Sequence, residues 1–125
     1  DLIGCGMMSY EAPFAAYLGR QIKEHAPRIP LMVGGIHPTV APEECLEYAD
    51  MVSIGESEGT VLETLYHVAD GKSLKEIQNL AFKDGHTVQK NPLRPLIADL
   101  DRLPFPAHFP ERSHVYHKGN ILPRM

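Results

Sequence analysis

Short apolar runs and longer amphipathic stretches follow one another along this chain, and their alternation predicts its elements. Residues 2–5 are an apolar run without polar alternation, the pattern of a strand covered on both faces, and Leu31-Met32-Val33 and Met51-Val52-Ser53-Ile54 read as the next two strands. Residues 11–26 predict a helix: Pro13 suits its first turn, Phe14, Leu18 and Ile22 repeat at i, i+4 and i+8, and Pro27 and Pro30 lie beyond its end. Pro42, Glu43 and Glu44 open a short helix that continues through Cys45 and Leu46, with carboxylates at the end the backbone dipole favours. After the third run, Val61, Leu62, Leu65, Val68 and Ala69 form the apolar stripe of another helix, which Gly71 stops. Ser73-Leu74-Lys75-Glu76 has the form of a capping box and predicts a further brief helix.

The pattern then changes. Leu80-Ala81-Phe82-Lys83 and His86-Thr87-Val88-Gln89 flank Asp84-Gly85, which supplies the positive φ values of a tight hairpin turn. Prolines accumulate afterwards, at positions 92, 95, 104, 106 and 110, and the residues before them avoid the helical region. The expected fold class is therefore α/β. A partial Rossmann-like (flavodoxin-like) parallel sheet with flanking helices occupies residues 1–78, a β-hairpin 79–91 and a Pro-rich linker 92–125, which takes its order from a partner surface. Three parallel strands fall short of the roughly five usual in such sheets. About two strand–helix units are expected ahead of Asp1, in keeping with a piece cut from a longer protein. The first strand would then be an apolar edge through which the fragment self-associates.

Composition narrows the function classes. With 43% apolar and 22% charged residues the chain has an ordinary globular balance, and its formal charge of −4 argues against a nucleic-acid footprint. Its apolar runs are far shorter than the roughly 20 residues of a membrane span, and no leader pattern opens it. Cys5 and Cys45 stand alone, without a Cys-x-x-Cys partner, and read as free thiols of a reducing cytoplasm. No GxGxxG run, phosphate-binding lysine loop, serine elbow or paired acid and base is present. As it stands the piece is not a self-sufficient catalyst.

Candidate chemistry gathers where strands end. Gly34-Gly35-Ile36-His37-Pro38-Thr39 and Gly55-Glu56-Ser57-Glu58 each follow an apolar run and precede a helical pattern. In open parallel sheets those positions bind ligands, and glycine there lets the backbone approach a bound molecule. Ordinary strand-exit turns account for the same glycines. His37 suits a metal ligand or a buttress of its loop, and Glu56 and Glu58 suit the start of a helix with or without a ligand. In the tail, His114 and His117 would share one face of a helical turn, and His108 lies nearby, but two such ligands do not make a metal site.

Taken in order, Asp1-Leu2-Ile3-Gly4, Gly34-Gly35-Ile36-His37-Pro38-Thr39, Pro42-Glu43-Glu44, Gly55-Glu56-Ser57-Glu58 and Leu100-Asp101-Arg102-Leu103-Pro104-Phe105-Pro106 resemble the N-terminal region of cobalamin-binding radical S-adenosylmethionine enzymes. The resemblance runs to about Pro106, with the Asp84-Gly85 hairpin fitting the stretch that joins the two domains of that family. It implies a domain that holds cobalamin at the carboxyl ends of its strands. A following barrel would carry a [4Fe–4S] cluster and S-adenosylmethionine, in a methyltransferase or a tetrapyrrole oxidative cyclase (Mg-protoporphyrin monomethyl ester type). Cobalamin contacts would then fall to Gly6, Met7, Met8 and Ser9, to Gly34 and Gly35, to His37 and Pro38, and to Gly55, Glu56 and Glu58. The partner would be the parent's own barrel. The chain departs from the family pattern in having no Cys-x-x-x-Cys-x-x-Cys and no visible Asp-x-His-x-x-Gly, in Ser57 where Gly is usual, and in Gly6 where a hydroxyl is common. The rival reading is a non-catalytic flavodoxin-like module that binds another ligand or a partner.

Overall fold

The structure, a computed structural model, describes residues 1–107 and 114–123. Strands β1 (Ile3–Gly6), β2 (Leu31–Gly34) and β3 (Met51–Ser53) form the parallel core of a five-stranded sheet of order β1-β2-β3-β4-β5. Helix α1 (Ala12–His25) connects β1 to β2, and the short helices α2 (Ile36–Val40) and α3 (Pro42–Cys45) connect β2 to β3. Helix α4 (Glu58–Asp70) leads to β4 (Leu80–Asp84) and β5 (Thr87–Lys90), which pair antiparallel. The expected hairpin is thus part of the sheet, because β4 also pairs antiparallel with β3, Val52 facing Ala81. β1 forms one edge, as expected.

Strand alternation divides the core into two layers. Ile3, Cys5, Leu31, Val33, Val52 and Ala81 turn to one face, against Ala15 of α1 and Cys45, Leu46 and Tyr48 beside α3. Leu2, Met32, Met51, Leu80 and Phe82 turn to the other, against Val68 of α4 and the Leu74 and Ile77 side chains of the following loop.

Two helices present faces other than those expected. α1 buries Ala12, Ala15 and Gly19, whereas Phe14 is 67% exposed. Small residues win because the helix lies close: a Cβ on Gly19 would sit 2.7 Å from the Tyr48 ring. α4 buries Thr60 and Thr64; of the expected stripe Leu62 and Leu65 face outward, Val61 edges the cleft at the sheet end, and Val68 packs on the sheet. The threonine hydroxyls tolerate burial because Thr60 Oγ1 donates to the Gln78 carbonyl (3.1 Å) and Thr64 Oγ1 to the Thr60 carbonyl (2.7 Å).

Smaller corrections follow the same hydrogen-bond logic. Ser73 Oγ accepts from the Lys75 amide, but the segment stays a turn. Asn91 Nδ2 donates to the Leu74 and Ile77 carbonyls at 2.7 and 2.8 Å and so takes acceptors a helix would need. In the hairpin Asp84 pairs with Thr87, so the turn centres on Gly85-His86, one residue later than expected, with Gly85 at φ 63°. The stretch expected as an extended linker contains a second antiparallel pair, β6 (His114–His117) with β7 (Asn120–Pro123). His114 and His117 therefore lie three apart on a strand, where such positions take opposite faces, not on a helical turn. His108 lies outside the described residues. No helix among the described residues is long and apolar enough to cross a membrane.

Candidate functional site

Parallel pairing brings the exits of β1, β2 and β3 to one end of the sheet: Gly6 is the register partner of Gly34, and Gly55 follows β3 two residues on. On the α4 side of that end a cleft of about 300 Å³ opens. Its wall includes Gly4, Gly6, Gly34, Ser53, Ser57 and Val61. Gly4 and Gly6 alternate on β1 towards this face, and a Cβ on either would meet nothing within 4 Å. The cleft therefore occupies the space that two strand side chains would otherwise take. A Cβ on Gly34 would lie 3.4 Å from Ser57 Oγ and 3.6 Å from Ser53 Cβ, so β2 also stays low beneath the opening.

The rim is held by the backbone. Met7 N donates to the Gly34 carbonyl (2.9 Å), and Gly35, at φ 105°, packs so close that its Cβ would come within 2.6 Å of the Met7 carbonyl. Glycine is required there on both counts. Thr39 Oγ1 donates to the Gly35 carbonyl (2.8 Å) and accepts from the Gly55 amide (2.9 Å), tying the two glycine loops together.

The other expected site residues fall into distinct places. The Met7 side chain is buried in the opposite core layer, where the Tyr48 hydroxyl donates to its sulfur at 3.5 Å. Met8 is exposed, its amide donating to Glu11 Oε2 (2.8 Å), and Ser9 opens a single 3₁₀ turn beside it. His37 is largely covered, with Nε2 3.6 Å from Glu44 Oε1, and Pro38 is buried. Both residues seat α2 against its surroundings, and neither lines the cleft. Gly55, at φ 73°, is exposed. Glu56 Oε2 accepts from the Ile97 amide (2.6 Å), and its carbonyl accepts from Asn79 Nδ2 (3.3 Å). Glu58 is exposed in the first turn of α4.

Gly4, Ser53, Ser57 and Val61 line the cleft and Thr39 ties its rim, and none of these was among the expected contacts. Glycines two apart in a strand, and a serine ending an apolar run, were the available signals. Ser53 Oγ is buried with no hydrogen-bond partner. Below the sheet's other face, burial raises the pKa of the Cys5 and Cys45 thiols, with smaller pushes from the Glu11 and Glu44 carboxylates. Both cysteines are free, and no group of three or more His, Cys, Asp or Glu is arranged to hold a metal ion among the described residues.

The comparisons with known proteins converge on this region. A family model described as B12 binding domain matches residues 1–65. The chain is 34% identical over 103 residues to an uncharacterized methyltransferase, PH0819, of Pyrococcus horikoshii, covering 79% of this chain and 22% of that protein. Its fold is similar to two structures of OxsB, described as a cobalamin-dependent S-adenosylmethionine radical enzyme. One has aqua-cobalamin bound and the other aqua-cobalamin with S-adenosylmethionine. Each gives a TM-score of 0.68 at 19% or 20% identity, over 77% of this chain and 14% of OxsB. The chain thus spans 22% of the length of its curated relative and 14% of the structural one. All three parallel strands and the residues around the cleft fall within the matched segment, and the chain belongs to the B12 binding domain family.

Proposed function

We propose that the cleft beside β1 receives the nucleotide tail of cobalamin, with the corrin lying over the glycine rim at the carboxyl ends of the strands. The observation that carries this reading is the empty space above Gly4 and Gly6, which no side chain of the described chain fills. Gly4, Gly6 and Gly34 leave the room, Met32 and Val61 give it apolar walls, and Ser53 and Ser57 supply hydroxyls. Such a surface suits a flat, mostly apolar group with a few polar atoms. Gly35, which also lines the cleft, and Thr39 hold the rim in shape. Bound cobalamin supplies a cobalt centre able to carry and transfer a methyl group, and the chain's part is binding and orientation.

In the full-length protein this module would present one corrin face to a radical S-adenosylmethionine barrel with its [4Fe–4S] cluster. The name of the curated relative favours a methyltransferase, with an oxidative cyclase as the other outcome. The outward Leu62 of α4 and the nearby Leu100, Leu103 and Phe105 offer an apolar surface suited to that barrel. The assay is titration of the chain with aqua-cobalamin, followed by corrin absorbance. Gly4→Val and Gly6→Val should fold normally, since valine suits a strand and its Cβ would meet no atom there, yet lose cobalamin. Binding by both variants at wild-type affinity would remove the cleft from the site.

A further inference from the structure

At the end of the sheet away from the glycine rim, where Pro30 and Asp50 lead into β2 and β3, lies a second hollow of about 270 Å³. Its floor is apolar: Met51 and Phe82 line it from β3 and β4, Val68 from α4 and Leu74 from the loop beyond. Its mouth is charged. Lys23 and Asp50 neutralise each other there, the ammonium donating to the two carboxylate oxygens at 3.0 and 2.8 Å. The Leu31 amide also donates to Asp50 Oδ2, at 2.8 Å. Arg28 and Lys83 are exposed on the same mouth, and among the described residues neither forms an ion pair. A chain of formal charge −4 thus sets two uncompensated cations around an apolar hollow.

The arrangement selects its occupant. The hollow is smaller than the roughly 300–1,000 Å³ of small-molecule sites. The carboxylate at its mouth is already engaged, which leaves no free side-chain group inside to fix the orientation of a small ligand. The two free charges lie at the surface instead, where a chain crossing the mouth meets both. One aromatic side chain suits the interior, since a ring gains from contact with a thioether and with a second ring, and from cations at its margin. Carboxylates on either side of that ring complement Arg28 and Lys83. We propose that this hollow docks an acidic segment of a partner protein, which inserts one aromatic side chain over Met51 and Phe82 and sets its carboxylates against Arg28 and Lys83. The surface is separate from the cobalamin cleft and serves association with another protein.

The test uses the whole chain and a dye-labelled peptide with blocked ends, Asp-Glu-Phe-Glu-Asp, followed by fluorescence anisotropy. Saturable binding is expected, and it should weaken as salt rises, because exposed charges are screened. Arg28→Glu and Lys83→Glu should each weaken it about fivefold or more while keeping the wild-type melting curve, since both side chains are exposed. The double variant should instead bind Lys-Lys-Phe-Lys-Lys. Absence of saturable binding to wild type, or binding that both charge reversals leave unchanged, would overturn the proposal. Equal affinity for Asp-Glu-Ala-Glu-Asp would also overturn it, by showing charge attraction without an anchor. Free N-acetylphenylalanine that competes as well as the peptide would make the hollow a small-molecule site and overturn it too.

Discussion

The hydroxyl of Thr39 and the amide of Gly55 lie 2.9 Å apart, and that contact fastens the loop after β2 to the loop after β3. The same oxygen donates to the Gly35 carbonyl at 2.8 Å, so one side chain sets the spacing of two glycine loops on the rim. Thr39→Val keeps the shape and removes both bonds. Each is worth about 0.5–1.5 kcal/mol, and the loss should appear as a lower urea midpoint together with weaker cobalamin binding. Thr39→Ser retains the hydroxyl and should restore both. A valine variant with wild-type stability and affinity would show that the loops hold their spacing without it.

Gly35 and Gly4 are both glycines of the same end of the sheet, and opposite outcomes are expected for them. At Gly35 the backbone is left-handed, φ 105°, and a Cβ would collide with the Met7 carbonyl at 2.6 Å. Gly35→Ala should cost about 2–4 kcal/mol, combining steric strain with displacement of the β1 exit loop. At Gly4 a Cβ meets open space, so Gly4→Ala should be neutral or slightly stabilising in denaturant melts. Comparable melting curves for the two variants would contradict the division between a glycine that shapes the rim and one that makes room.

Much of this was legible before any coordinates. Uninterrupted apolar runs located β1, β2 and β3, and the glycines after them marked the sheet end that opens to a ligand. Helix faces were harder to read, because periodicity gives most weight to large apolar side chains. In α1 and α4 the sheet is met by Ala12, Ala15 and Gly19, and by Thr60 and Thr64, while Phe14 and Leu62 turn outward. Close helix–sheet approach selects small residues, and a hydroxyl that finds a carbonyl is as good a core residue as a methyl. In the site, Gly34 and Gly35 stood out as a pair, but their division of labour depends on Met7, 28 residues away from Gly35 in the chain. Gly4 and Ser53 looked like strand residues of no particular interest, since only the pairing of three strands puts them on one cleft wall.

Glu56 has a measurable duty independent of any ligand. Its Oε2 accepts from the Ile97 amide at 2.6 Å, and Asn79 supplies the rest of the clasp, its Oδ1 accepting from the Arg94 amide at 2.8 Å. Arg94 in turn lies across Gly59 and pairs with Glu63 at 2.9 Å. Residues 91–99 belong to no strand, so these contacts, with the Asn79 amide donating to the Pro92 carbonyl at 3.0 Å, seat them. Glu56→Ala should release the chain around Ile97, seen as several-fold faster limited proteolysis there, with a stability loss of about 1–3 kcal/mol for the charge-assisted bond. Unchanged cleavage would show that Asn79 and Arg94 suffice.

The alkaline limit of stability should be set under the other face of the sheet. Tyr48 sits in the core with its hydroxyl 3.4 Å from Cys45 Sγ, and burial drives its pKa well above the usual tyrosine range, reinforced by the Cys45 contact. Burial also raises Cys45 and Cys5. All three groups hold their protons more tightly folded than unfolded, so above the unfolded pKa values the unfolded chain binds fewer protons. Stability then falls as pH rises. It should be level through neutrality and decline from about pH 8.5–9, where an unfolded thiol titrates, through about pH 10, where an unfolded phenol does. Urea midpoints measured at about pH 7 and about pH 10 would show the drop, and combining Cys45→Ala with Tyr48→Phe should flatten most of it. An equally steep decline in the double variant would place the alkaline sensitivity in groups other than this buried pair.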